Sequence, residues 1–301
     1  MYITDMHCDS LTRVSQTRGL ITEYNLSAKH PMLQLFAICT PFEGRPPQLR
    51  RREVMKNLNA YIYECARLSL DKIDDVRSLC NAMDSGRSAA MFTIEGGGGL
   101  FADSEELFTL YKAGLRIMSL AWDKNELASS AFDQSDEGLS DEGIRMAKRC
   151  AELGITIDVS HLSDKSFYQL CECYPHPIVA THSNFRDVCK NPRNLTSDMA
   201  KIIVSRGGII GLNLYPSFLS ESDARIEDIL RHVDFCLEHF GDANLGFGFD
   251  IDGTRGKYPL GIDESSSIHD KVIELLLLHY PESTVKKIAG ENATEFLKGI
   301  L

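Results

Sequence analysis

The sequence has no apolar run approaching the ~20 residues that a membrane-spanning helix needs. Its longest apolar stretch, IELLLLHY around Leu276, has only the length of a core helix. There is no Lys/Arg-rich run, and acidic residues outnumber basic ones by 43 to 32, for a formal charge of −11. Nucleic acid and anionic membrane both demand a basic face, so neither is an expected partner. The opening MYITDMHCDS lacks a basic segment followed by an apolar one. No secretory signal is therefore expected, and the cytoplasm is the expected compartment. Internal repeats, low-complexity tracts and Pro/Gly/Ser linkers are also absent, so one domain over residues 1–301 is expected. Nine cysteines at irregular spacing, an odd number, argue for reduced thiols over a disulfide framework. Cys171 and Cys173 form a CxC, but no second pair lies nearby to complete a zinc site.

What the chain does contain is an alternation. Short apolar runs rich in β-branched residues recur between helix-like stretches. The expected strands are Tyr2 to His7, Leu33 to Cys39, Ala89 to Ile94, Leu115 to Leu120, Ile155 to Val159, Ile178 to Thr181, Gly208 to Leu214 and Leu245 to Phe249. Apolar residues follow one another in these runs instead of alternating, as in strands buried on both faces. Helices are expected from Arg50 to Leu70, from Ser140 to Leu153, from Leu162 to Cys173, from Ser197 to Arg206 and from Ala224 to Phe240. Two more, Ser267 to Tyr280 and Glu282 to Leu297, close the chain. Eight strands alternating with helices predict an α/β fold, a closed (β/α)₈ TIM-type barrel. The segments Asn125 to Leu139 and Asp252 to Ser266 read as long loops at one rim.

In such a barrel the chemistry sits at the carboxyl ends of the strands. The apolar runs here end in His7-Cys8-Asp9, in Glu95 followed by Gly96 to Gly99, in Ser160-His161, in Thr181-His182 and in Asp250-Ile251-Asp252. Residues two apart on a strand share a face, so His7 and Asp9 project together while Cys8 turns away. Five ionisable groups, His7, Asp9, Glu95, His161 and His182, gathered at one barrel mouth would be costly without a central cation. Imidazoles mixed with carboxylates suit Zn²⁺, with Mn²⁺, Fe²⁺ and Co²⁺ also compatible. The reading is a hydrolase with two adjacent metal ions. His30, His176, His232, His239, His269 and His279 lie in loops or helical stretches without complementary ligands and read as surface or packing residues. The glycine run lacks the lysine and hydroxyl of a P-loop and the Rossmann spacing. It reads as a place where backbone passes close beneath the metals.

The segments DMHCDS, FTIEGGGGL, GLSDEGIRMAKRCAELGITIDVSHLSD, IVATHSNFRDVCKNPRNL and LGFGFDIDG resemble the membrane or renal dipeptidase family in order and spacing, over nearly the whole chain. That family comprises binuclear zinc dipeptidases within the amidohydrolase-like barrels. The resemblance implies that His7 and Asp9 hold one zinc, His161 and His182 the other, and that Glu95 bridges them. Asp250 falls on the family's catalytic carboxylate beside the bridging water, and an orienting role for it stays open. Arg193, followed by Asn194, falls on the arginine that grips the substrate's C-terminal carboxylate. Tyr215 lies in a matching segment without an assigned role. Trp122 in SLAWDKNELA stands where mammalian members carry a substrate-contacting histidine, and Gly98 also replaces a histidine of those members.

The implied activity is hydrolysis of dipeptides, including ones with a C-terminal D-residue, by a water activated between two zinc ions. The resemblance is to the soluble bacterial members, and a homodimer is implied. Two alternatives stay open: another binuclear amidohydrolase activity, such as a lactonase or N-acyl-amino-acid deacylase, and a non-catalytic metal- or peptide-binding barrel.

Overall fold

The apolar runs pair side by side in parallel, with their carboxyl ends at one rim. A computed structural model describes residues 1–12, 21, 26–40, 45–254, 256–262 and 267–301. Its strands are β1 (Ile3–Cys8), β2 (Met32–Cys39), β3 (Asp71–Lys72), β4 (Ala89–Glu95), β5 (Ile117–Ser119), β6 (Thr156–Asp158), β7 (Ile210–Leu212) and β8 (Leu245–Phe247). They are ordered β6-β5-β4-β2-β1-β8-β7, with β3 attached to β4. The expected strand Ile178 to Thr181 is reduced to single bridges, Val179 to Asp158 on β6 and Ala180 to Ile210 on β7. Those bridges close the ring, and with the helices around it the architecture is a (β/α)₈-type barrel. The run is short for two reasons. Pro177 precedes it without an N–H to donate, and the Thr181 amide is captured by the Asp158 side chain at 3.0 Å.

Burial on both faces explains the consecutive apolar pattern. Every residue of β1 and β4 is buried. The β2–β4 register runs from Leu33 opposite Ala89 to Cys39 opposite Glu95, which places a thiol beside a carboxylate at the site end.

Helix ends follow their capping residues. Ser140 accepts from the Gly143 amide at 3.0 Å to start Asp141–Leu153, and left-handed Gly154 ends it. Ser163 caps Asp164–Cys173, two residues later than expected. The expected Ala224 to Phe240 helix begins only at Asp228, because Arg225 bridges to Leu260 instead. Helices Val76–Ser85 and Glu105–Lys112 were not expected. All nine cysteines are free. No helix among the described residues is long and apolar enough to cross a membrane.

His232, on helix Asp228–Phe240, is fully buried. Its Nδ1 accepts the Phe185 amide at 3.3 Å and its Nε2 donates to the Leu219 carbonyl at 3.1 Å. Burial drives its pKa down to about 4 from 6.5, only partly opposed by the Leu219 bond. The unfolded chain therefore takes up this proton first as the pH falls. The stability it contributes is present above pH 6.5 and is lost as the pH drops through about 4. Two to three pKa units correspond to about 3 kcal/mol. His232→Gln should flatten the pH–stability curve by roughly that amount over this window, read by urea unfolding at a series of pH values.

Candidate metal centre and active site

Six side chains from distant segments meet at the carboxyl rim. His7 Nε2 lies 3.5 Å from Glu95 Oε1, 3.8 Å from Asp9 Oδ2 and 3.9 Å from Asp250 Oδ1. His161 Nε2 and His182 Nε2 lie 2.7 Å and 3.3 Å from the same Glu95 oxygen and 3.0 Å from each other. The His7 and His182 rings stack with centroids 3.6 Å apart. Among the described residues three donor groups emerge, each with ligand atoms within 4.8 Å of one another: His7/Glu95/His182, His7/Asp9/Asp250 and Asp9/Cys39/Glu95. His161 joins them through Glu95 at 2.7 Å, so all five residues expected to bind metal lie together with Asp250, and Glu95 is the carboxylate nearest to all three imidazoles.

Buried carboxylates inside the strands aim these groups. Asp5 Oδ1 accepts the amides of His7 at 3.0 Å and Phe249 at 3.2 Å, and its Oδ2 lies 2.7 Å from His269 Nε2. His269 therefore does have a complementary partner, and both residues are fully buried. The expectation for it failed because its carboxylate lies 264 residues away. The Asp250 amide donates to the His7 carbonyl at 3.2 Å, and the Asp9 amide to the Ile251 carbonyl at 2.8 Å, joining the ends of β1 and β8. On the other side, Asp158 Oδ1 accepts the amides of Ser160 at 2.9 Å and Thr181 at 3.0 Å. Its Oδ2 accepts the Thr181 hydroxyl, whose oxygen lies 2.8 Å from His182 Nδ1. With Nδ1 so engaged, Nε2 is the nitrogen that faces Glu95.

Asp250 has a left-handed backbone, φ 60°, a conformation that non-glycine residues adopt mainly under constraint. A Cβ on Gly253 would run into the carboxylates of both Asp250 and Asp9, so only glycine lets this turn come so near. The run Gly96 to Gly99 has a different cause from the expected one. Added Cβ atoms there would meet Trp122, Met118, Arg50 and Asn125 rather than the ligand residues.

His7 Nε2, Asp9 Oδ1 and Glu95 Oε2 are buried without a hydrogen-bond partner. An unmet buried polar atom costs about 1–3 kcal/mol, and these three belong to residues whose donor atoms could together hold a cation. Burial opposes charge on His7, yet the Glu95, Asp9 and Asp250 carboxylates outweigh it and raise its pKa to about 10. Burial, then the Asp9 and Glu95 charges, raises Asp250 to about 7, although His7 and Asn213 pull it back. Burial first, with help from Arg193 and the neighbouring imidazoles, drives His161 and His182 well below the ordinary histidine value. Those two rings are neutral at pH 7, the form that binds metal.

Arg193, Trp122 and Tyr215, expected on the substrate side, lie on elements next to this cluster. Arg193 is 2% exposed and donates to Ser183 Oγ at 2.8 Å and the His182 carbonyl at 3.2 Å, leaving Nε without a partner. Its guanidinium lies 5.6 Å from the centre of the Phe218 ring, against which Tyr215 packs at 4.8 Å. Trp122 is half-buried, 6.3 Å from the His161 ring. Among the described residues Tyr215 has no hydrogen bond or ring pairing with the clustered donors and is linked to them through Asn213. Asn213 Oδ1 accepts the Tyr215 amide at 2.6 Å, while its Nδ2 donates to Asp250 Oδ2 at 3.1 Å. The Ala131 amide bonds to the His161 carbonyl at 2.8 Å, so the loop Asn125 to Leu139 lies at this rim as expected. The second expected rim loop, Asp252 to Ser266, is only partly inside the described residues, since 255 and 263–266 lie outside them.

Asn213, Asp5, Asp158 and Cys39 were not picked out from sequence. The first three interrupt apolar runs, which is the signal that would have found them. Cys39 left no signal, because a cysteine suits a buried strand equally well.

The family model for membrane dipeptidases, peptidase family M19, matches residues 5–300. The chain is 31% identical over 219 residues to the "uncharacterized protein in pqqA 5'region" of Klebsiella pneumoniae, covering 69% of this chain and 80% of that one. It is 27% identical over 250 residues to Dipeptidase 3 of Mus musculus, covering 76% of this chain and 50% of that protein. A metallopeptidase from Rhodobacter sphaeroides, solved with a phosphinate mimic of the dipeptide L-Ala-D-Ala, superposes with a TM-score of 0.87 at 23% identity. That superposition covers 100% of this chain and 99% of that one. With the fold and a cluster of metal-ligand side chains already at the barrel mouth, the match over residues 5–300 places this chain in the membrane dipeptidase family M19, as a metallo-dipeptidase.

Proposed function

We propose that this enzyme is a two-zinc dipeptidase whose ions are held by His7, Asp9, Glu95, His161 and His182. The observation that carries the reading is the convergence of those five side chains with three buried donor atoms left unsatisfied. Two divalent ions there would acidify a water and polarise a peptide carbonyl. The chain's own groups supply the rest. Glu95, central to three imidazoles, suits the bridging position. Asp250 is close enough to His7 and Asp9 to share the same water, and its carboxylate is the group placed to move a proton there. It would take a proton from the attacking water and give it to the leaving amine.

Arg193 presents a buried, underused fork of donors toward the site, matched to a carboxylate. Gripping the substrate's free C-terminus there directs cleavage to the last peptide bond, because a chain extended beyond that residue would have to continue through that position. Trp122, whose ring lies 6.3 Å from that of His161, and Tyr215, linked to Asp250 through Asn213, are the further residues proposed to meet substrate. The Rhodobacter sphaeroides neighbour's L-Ala-D-Ala mimic supports dipeptides with a C-terminal D-residue as candidate substrates.

Removing metal with a chelator should abolish turnover of such dipeptides, and Zn²⁺ should restore it. The panel pairs L- and D-terminated dipeptides with N-acyl amino acids and lactones. Preference for either of the last two classes would replace the dipeptidase reading, and metal-independent turnover would refute it. Arg193→Lys keeps the charge but loses the fork. KM for dipeptides should rise roughly ten- to a hundred-fold with metal content unchanged, as steady-state kinetics and metal analysis would show. An unaltered KM would remove Arg193 from substrate recognition.

A further inference from the structure

We infer that Cys39 is a thiolate ligand on the Asp9–Glu95 side of the metal centre and biases it toward thiophilic ions such as Zn²⁺ and Cd²⁺ over Mn²⁺. The inference rests on the reading of this cluster as a metal centre, and adds a sixth donor to it. The β2–β4 register sets Cys39 directly beside Glu95. Its Sγ, one oxygen of Asp9 and one of Glu95 lie within 4.8 Å of one another. Donors around a tetrahedral zinc, with bonds of about 2.0–2.3 Å, stand roughly 3.5 Å apart, so small side-chain movements suffice.

An independent observation points to a ligand at this corner. Glu95 is 2% exposed, and its Oε2 has no hydrogen-bond partner; Asp9 Oδ1 is in the same condition. The thiol thus stands within 4.8 Å of an oxygen of each of two carboxylates that both keep a buried oxygen without a hydrogen-bond partner. Among the described residues, Cys39 is the one cysteine grouped with such donors, whereas Cys8, also at the end of a strand, packs into the hydrophobic core. A sulfur donor separates metals by softness. Thiolate favours zinc and cadmium, while carboxylate and imidazole alone leave manganese more competitive.

The test is to strip the protein with chelator and reload it with Co²⁺ alone. Bound Co²⁺ per chain and the near-ultraviolet sulfur-to-cobalt charge-transfer band are then measured. The wild-type protein should show the band, and Cys39→Ser should lose it while still binding Co²⁺. Chelator competition should show Zn²⁺ and Cd²⁺ affinity falling at least about tenfold in Cys39→Ser, with Mn²⁺ affinity little changed. A measurement without any variant is alkylation of Cys39 followed by peptide mass spectrometry, in which bound Zn²⁺ should protect the thiol. Bound Co²⁺ without the band, a band that persists in Cys39→Ser, or alkylation undiminished by bound Zn²⁺ would overturn the ligand role and leave the metal centre standing. Failure to bind Co²⁺ at all would overturn both.

Discussion

Replacing Glu95 with glutamine is expected to lower kcat/KM for dipeptides by ~10³-fold or more and to strip the protein of bound metal. Glu95 Oε1 stands 2.7, 3.3 and 3.5 Å from the Nε2 atoms of His161, His182 and His7, so all three imidazoles are organised around one carboxylate. Its other oxygen is buried without a partner. Glutamine keeps the shape, but it removes the negative charge and one of the two anionic oxygens that a bridging ligand needs. The substitution therefore tests charge rather than packing. Stability provides a second readout. Zn²⁺ at about 1,000 times its dissociation constant adds about 4 kcal/mol to a protein that binds it only when folded. Thermal unfolding of the wild type should shift upward with Zn²⁺, and that of Glu95→Gln should hardly move. A variant that keeps both its zinc and its activity would remove Glu95 from the centre.

Asp250→Asn should lower kcat by about 10²–10⁴-fold, with KM and metal content close to wild type. The carboxylate is held by Asn213 at 3.1 Å on one oxygen and faces His7 at 3.9 Å with the other. Its left-handed backbone and the close approach of Gly253 keep it there. A group that only oriented His7 would, when changed, release metal and leave the turnover of the metal that remained. A proton carrier would lose turnover and retain metal. The pH profile separates the two further. In the protein without a cation, burial and the Asp9 and Glu95 charges hold Asp250 at about 7. A nearby cation favours the ionised form and moves that value down. Activity needing the carboxylate should thus fall as the pH drops, with its acid limb below 7, and the limb should vanish in Asp250→Asn. An acid limb identical in both proteins would assign it to another group.

The strands were readable because burial is a local property of a sequence. A run such as AAMFTIE needs no knowledge of its neighbours to be recognised as covered on both faces. The same holds for His7 and Asp9, whose spacing alone puts them on one face, and for the polar residues ending other runs. Partnership is different, because it is set by register and by closure of the ring. Nothing near Asp5 shows that His269 will lie against it, or that Asp158 will reach Thr181 and shorten the expected strand at Ile178 to Thr181 to single bridges. The glycine run shows the same limit. The sequence announced a close approach, but only the packing revealed that Arg50, Asn125 and Trp122 are what the backbone avoids. By itself, then, the sequence determined the barrel and the kinds of side chain at its mouth, because hydrophobic burial and strand periodicity act over a few residues. The tertiary structure decided which atoms face one another, including the thiol of Cys39 beside Glu95, because strand pairing joins residues that are remote in the chain.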